Sequence, residues 1–161
     1  MKHFIAVFIG LALTLPCVNA VSAQDADQAV NVVVPSVSVV DVSGDPATMT
    51  FGTVNGANFD SVTDATTTYG FAHNNAAAQK IVATLSTAYT GTISLTINLV
   101  APAGGFSPGA VLLVAATGVD VVTGIPAVAQ AGMTIEYVAT ASASEPQVDE
   151  TKTVTFTIVA N

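Results

Sequence analysis

Residues 92–100 read TISLTINLV, and this stretch decides the fold class. Ile93, Leu95, Ile97 and Leu99 alternate with Ser94, Thr96 and Asn98. Successive side chains of a strand point to opposite faces, so strict period-two alternation marks a strand with one buried and one wet face. The pattern recurs on both sides. KIVATLSTAY (80–89) places Ile81, Ala83, Leu85 and Tyr89 together, and MTIEYVATAS (133–142) turns Met133, Ile135 and Tyr137 inward and Thr134 and Glu136 outward. TKTVTFTIVAN (151–161) sets Val154, Phe156 and Ile158 against Thr153, Thr155 and Thr157.

Between these anchors the sequence supplies further strands and turns. AVNVVVPSVSVVDVS (29–43) is Val-rich and broken by Pro35, which predicts two short strands or one kinked edge strand. Ser43-Gly44-Asp45-Pro46 is a turn, ATMTFGTV (47–54) a strand, and Asn55-Gly56 a second turn. ANFDSVTDA (57–65) reads as a loop, and TTTYGFAH (66–73) as a strand containing Gly70. Thr90-Gly91 is short enough to close a hairpin between 80–89 and 92–100. APAGGFSPG (101–109) is a loop, while AVLLVAAT (110–117) and GVDVVTGI (118–125) are apolar and less periodic. The Ala-rich pieces 76–78 and 127–131 have room for a single helical turn each, and SEPQVDE (144–150) is an acidic loop. A chain segment that is all strand needs pairing, so 154–158 is expected at the centre of a sheet, flanked on both sides. The expected fold is all-β: a single antiparallel β-sandwich, Ig-like or Greek-key, over residues 24–161.

Residues 1–23 read as a cleaved signal peptide. Lys2 supplies the positive start, Phe4 to Leu15 the apolar run, and Val21-Ser22-Ala23 the small-residue cleavage site, with Val18-Asn19-Ala20 as an alternative. The run is too short to span a bilayer. The only cysteine, Cys17, follows Pro16, which disfavours a lipid anchor and leaves residues 24–161 free of disulfides. The expected location is secreted: cell surface, extracellular or periplasmic.

Charge narrows the partners. Lys80 and Lys152 face all eleven acidic residues, and there is no arginine. Such a surface repels phosphate backbones and anionic membranes, so neither is an expected partner, and no membrane span is expected because the apolar run is too short. Charged residues make up only 9% of the chain against 51% hydrophobic, which argues against disorder.

No catalytic, cofactor-binding or metal-ligating set emerges. Nucleophilic catalysis needs a base beside Ser or Cys, and residues 24–161 hold one histidine, His73, which reads as a polar residue at a strand end. Zinc wants three or four His, Cys or carboxylate ligands. Ala103-Gly104-Gly105 has no basic partner with which to cradle phosphate. Asp41-x-Ser43-x-Asp45 and Asp60-x-x-x-Asp64 could offer oxygens to calcium but match no calcium-loop pattern, and read as solvated loop acids. A paired-carboxylate glycosidase would want aromatic sugar platforms, and the chain has no Trp. The expectation is a non-enzyme without a cofactor.

Thr50-Phe51-Gly52 and the strand from Val154 to Ile158 resemble elements of secreted pilin-like and spore-coat-U-like β-sandwich surface proteins. The resemblance implies a structural or adhesive subunit of a cell-surface or extracellular assembly, fimbria-like in kind. The alternatives are an envelope carbohydrate- or ligand-binding module, favoured if Tyr69, Phe71 and Tyr89 share an exposed face, and an aggregating matrix protein. Segment 28–42 reads first as an ordinary opening strand of its own sandwich, and second as a strand that could be donated to a neighbour's open edge, the route by which self-association through strand pairing would run.

Overall fold

The computed structural model describes residues 28–161, so the expected signal peptide and the polar lead Gln24–Asp27 lie outside the described residues. The chain divides into two units, Met1–Val33 and Val34–Asn161, and every strand among the described residues lies in the second, the folded unit. Residues 28–33 are irregular and exposed. The folded unit is all-β, with no α-helix among the described residues.

In chain order the strands are β1 (Ser38–Val42), β2 (Val54–Asn55), β3 (Asn58–Phe59), β4 (Val62–His73), β5 (Gln79–Leu85), β6 (Ser94–Leu99), β7 (Val111–Leu112), β8 (Gly118–Ile125), β9 (Val128–Thr140) and β10 (Val154–Ala160). A five-stranded sheet has the order β1-β4-β9-β6-β7, a three-stranded sheet β10-β5-β8, and β2-β3 is a small hairpin. Every ladder is antiparallel.

Alternation builds the core. Leu95, Ile97 and Leu99 of β6, Ile81, Ala83 and Leu85 of β5, and Met133, Ile135 and Tyr137 of β9 are all buried in one cluster fed by both main sheets. Tyr69 is buried too, and its hydroxyl donates to Val100 O at 2.6 Å, which satisfies its polar end.

Two bulges shape the β4–β9 ladder. Between Asp64 and Thr67 the register gains one residue on β4, so inward positions switch from even to odd numbers. Between Tyr69 and Phe71 the extra residue falls on β9, where Gly132 has φ +73, a left-handed conformation that glycine adopts without steric cost. In β8 both Val121 and Val122 are buried, which accounts for its weak periodicity.

Several expectations are corrected. Residues 47–53 are not a strand: Thr53 O accepts from Asp60 N–H, but no ladder runs along them, and only Val54–Asn55 joins one. Residues 57–65 are not a loop throughout: they hold β3 and the start of β4. In the Ala-rich stretch 127–131, Ala127 is a bend and residues 128–131 open β9 rather than a helical turn, and 76–78 is bent and non-helical. Thr90-Gly91 closes no hairpin, since β5 and β6 belong to different sheets and 86–93 crosses between them. Finally, β10 is an edge strand, not a central one: β5 is its only ladder partner.

Candidate functional site

The open side of the three-stranded sheet is the most distinctive surface. Along β10–β5 the register runs without a shift from Val154↔Leu85 to Ala160↔Gln79. Ser86 N–H donates to Thr153 O and Asn161 N–H to Ala78 O, so the odd-numbered residues of the strand aim their backbone groups at β5. By the antiparallel rule, Val154, Phe156, Ile158 and Ala160 aim theirs at the open edge. The side chains of Val154, Phe156 and Ile158 are only half-buried, although their cross-strand neighbours Leu85, Ala83 and Ile81 are fully buried. A groove of about 270 Å³ runs beside them, lined by Val40, Asp41 and Val42 of β1 and by Val154, Thr155 and Phe156 of β10.

The opposite edge of the same sheet is closed differently. Phe106 and Thr123 exchange two backbone hydrogen bonds of 2.9 Å, so loop 101–109 covers part of β8. Each main sheet therefore has an open edge on the β1/β10 side.

The acidic loop 144–150 is a clip rather than a free solvated segment. Glu145 Oε2 accepts from the N–H and hydroxyl of Thr92. Glu150 accepts from Thr90 N–H at 3.3 Å and pairs with Lys152 at 2.9 Å, and these bonds hold its carboxyl below the usual range. Lys152 Nζ lies 5.9 Å from the centre of the Tyr89 ring. No sequence rule flagged these contacts, because each joins residues more than fifty positions apart except the Glu150–Lys152 pair.

His73 closes β4 from the inside. Its Nε2 lies 2.6 Å from Pro126 O and 3.1 Å from Ile125 O, both acceptors, so Nε2 carries the proton and donates. Its ring meets Phe71 edge-on at 5.4 Å. A largely apolar pocket of about 420 Å³ opens beside it against Val37 and Val128.

The carboxylates considered for calcium stand as follows. Asp41 is on exposed β1, and Ser43 Oγ accepts from Thr68 N–H. Asp60 is exposed, whereas Asp64 is buried and accepts from the N–H and hydroxyl of Thr66. Asp45 and Asp64 both act on Tyr137, whose hydroxyl is pushed up to about 12, first by burial and then by these two charges. Among the described residues no group of three or more His, Cys, Asp or Glu stands close enough to hold a metal. No helix among them is long and apolar enough to cross a membrane.

Tyr69 and Phe71 are core residues, and Tyr89 is half-buried, so the three form no exposed aromatic face. Comparison of the chain with protein-family models, curated proteins and solved structures finds no match.

Proposed function

We propose that Val34–Asn161 is an antiparallel β-sandwich and that the protein is an exported, non-enzymatic structural or adhesive subunit of a cell-surface or extracellular assembly. The single core fed by two antiparallel sheets supports the sandwich. The observation that carries the assembly role is the bare valine segment ahead of the domain. Val30, Val32, Val33 and Val34 are each 76–79% exposed. Each buried methylene is worth about 0.8 kcal/mol, so four exposed valines in close succession favour association with another surface. The burial of Tyr69 and Phe71 removes the main support for a carbohydrate-binding face.

Electron microscopy and light scattering of the purified protein over a range of concentrations test this reading. Filaments or concentration-dependent oligomers are expected. A protein that stays monomeric at every concentration would remove the proposal.

A further inference from the structure

We infer that the open edge of β10 is an acceptor site for one particular occupant, residues 29–34 of a second copy of the chain. The inference deepens the assembly role proposed above and rests on it. Four observations converge.

First, the edge carries no protecting residue of its own, and β1 faces it across the groove without bonding to it. Native proteins blunt edges with charge, proline, bulges or short length. β10 reads VTFTIVA, seven residues without a charge, a proline or a register shift. The neighbouring edge, β1, is shorter and carries Asp41. The β8 edge is partly covered by Phe106, and β7 is only two residues long.

Second, the inner face of β10 lacks cover where an additional strand would lie. Val154, Phe156 and Ile158 are half-buried while Leu85, Ala83 and Ile81 opposite them on β5 are buried, and the groove along β1 opens on that side.

Third, residues 29–34 have the form of the missing strand. AVNVVV is β-prone, and in an extended strand Val30, Val32 and Val34 share one face. Extended, six residues reach about 20 Å, close to the length of β10. Pro35 removes the next donor and ends the pairing there. Val30, Val32, Val33 and Val34 are all strongly exposed, which leaves their apolar side chains available to a partner surface.

Fourth, charge permits the contact in an otherwise acidic protein. Neither 29–34 nor 154–160 contains a charged residue, so two chains of formal charge −8 can meet here without placing like charges opposite each other. In the paired state the free N–H and C=O groups of Phe156 and Ile158 bond to the incoming backbone, and Val30, Val32 and Val34 cover the half-buried side chains.

The contact is heterologous, donor on one copy and acceptor on the next, so it propagates and can be broken from either side. Val32→Asp spoils the donor and leaves the acceptor intact. Ala160→Pro removes an edge-facing N–H that makes no bond to β5, and leaves the donor intact. Each variant alone is expected to stay monomeric by light scattering with an unchanged circular dichroism spectrum. Mixed, the two are expected to form one-to-one dimers and nothing larger. In the wild-type assembly, amide exchange at Phe156 and Ile158 is expected to slow by about tenfold or more.

If the wild type assembles without slowing at Phe156 and Ile158, the β10 acceptor is wrong and the assembly role survives. That pattern would indicate docking on β1 instead. Assembly that persists undiminished in Val32→Asp overturns the donor, whatever happens to the fold of Ala160→Pro; protection of β10 there would point to edge-to-edge pairing. A wild type that never assembles overturns both the acceptor site and the assembly role.

Discussion

Glu145 and Thr92 are joined by two short hydrogen bonds, with Oε2 accepting from the backbone N–H and from the hydroxyl, both at 2.6 Å. Thr92 Oγ1 in turn accepts from Ser142 N–H at 3.0 Å, so the inter-sheet crossing 86–93 is stitched to the chain that follows β9. The stitch requires Gly91. Its φ of +63 is left-handed, and a Cβ there would meet the Glu145 carboxylate. Gly91→Ala should therefore cost about 1–2 kcal/mol from backbone strain alone, plus whatever is lost as Glu145 swings away. Glu145→Ala should cost about 1 kcal/mol. Urea melts of the double variant should show less than the sum, because both changes break the same contact.

Leu95 and Thr96 separate the two faces of β6. Leu95 is buried opposite Ala139, while Thr96 is half-buried on the other face with a long 3.4 Å bond to Val138 O. Leu95→Ala should cost about 2–5 kcal/mol, as other buried leucine truncations do. Thr96→Ala should cost about 0.5–1 kcal/mol. Equal losses in urea melts would show that β6 does not present these faces.

These two residues also show what was legible in the sequence. Where alternation was unbroken, at 81–85, 95–99 and 133–137, it identified strand and inward face together, because a strand buried on one side admits no other pattern; Ile93, just outside β6, is only half-buried. Where a bulge reset the phase, it failed. Asp64 and Thr67 both face inward, so 62–65 could not be joined to 66–73 by counting in twos. Residues 47–53 alternate yet join no ladder, since alternation describes side chains and not ladder partners. For the same reason Val154–Ile158 looks alike at the centre of a sheet and at its edge. The open β10 edge depends on strand order, which local patterns do not encode.

Tyr137 makes stability fall in alkali. Burial, then the charges of Asp64 and Asp45, raise its hydroxyl from 10.0 to about 12. The folded state therefore holds the proton more tightly than the unfolded chain does. The resulting stabilisation is complete below pH 10 and is lost as the pH rises from 10 to about 12. Tyr69 is raised in the same direction by burial and adds to the slope. Urea melts across that window should show stability dropping in step with tyrosinate absorbance, and Tyr137→Phe should flatten the slope. A slope unchanged in Tyr137→Phe would mean that the hydroxyl is not held neutral by the fold.

Gly118 sits where β8 meets β5. It lies opposite Thr84, and a Cβ on it would approach Val82 Cγ1 to 2.6 Å. No left-handed backbone is involved, so the penalty is one of space alone. Val82 is a short, stiff side chain with few ways to yield. Gly118→Val should cost about 1–3 kcal/mol through overpacking. Pairing it with Val82→Ala should restore most of the loss, because the smaller side chain vacates the contested volume. Thermal melts of the single and double variants check this, and a double variant no more stable than Gly118→Val would show that Val82 is not the obstacle.

His73 holds the end of β4 against the chain linking β8 to β9. It is the last residue of β4 in the five-stranded sheet, while Ile125 and Pro126, whose carbonyls receive its proton, leave β8 in the three-stranded sheet. One ring therefore ties the two sheets together at this corner. His73→Ala removes the donor from two carbonyls and empties the space beside Phe71, so the loss should be about 2–4 kcal/mol. His73→Phe keeps the volume and the edge-on contact but still strands the carbonyls, and should recover only part of it. His73→Gln can restore a donor without the ring. Comparing the three by urea melts separates packing from hydrogen bonding. If Phe stabilises as well as His, the carbonyl bonds contribute nothing net. If all three match the wild type, His73 does not fasten the sheets, and its environment would have to be reconsidered as an exposed strand end.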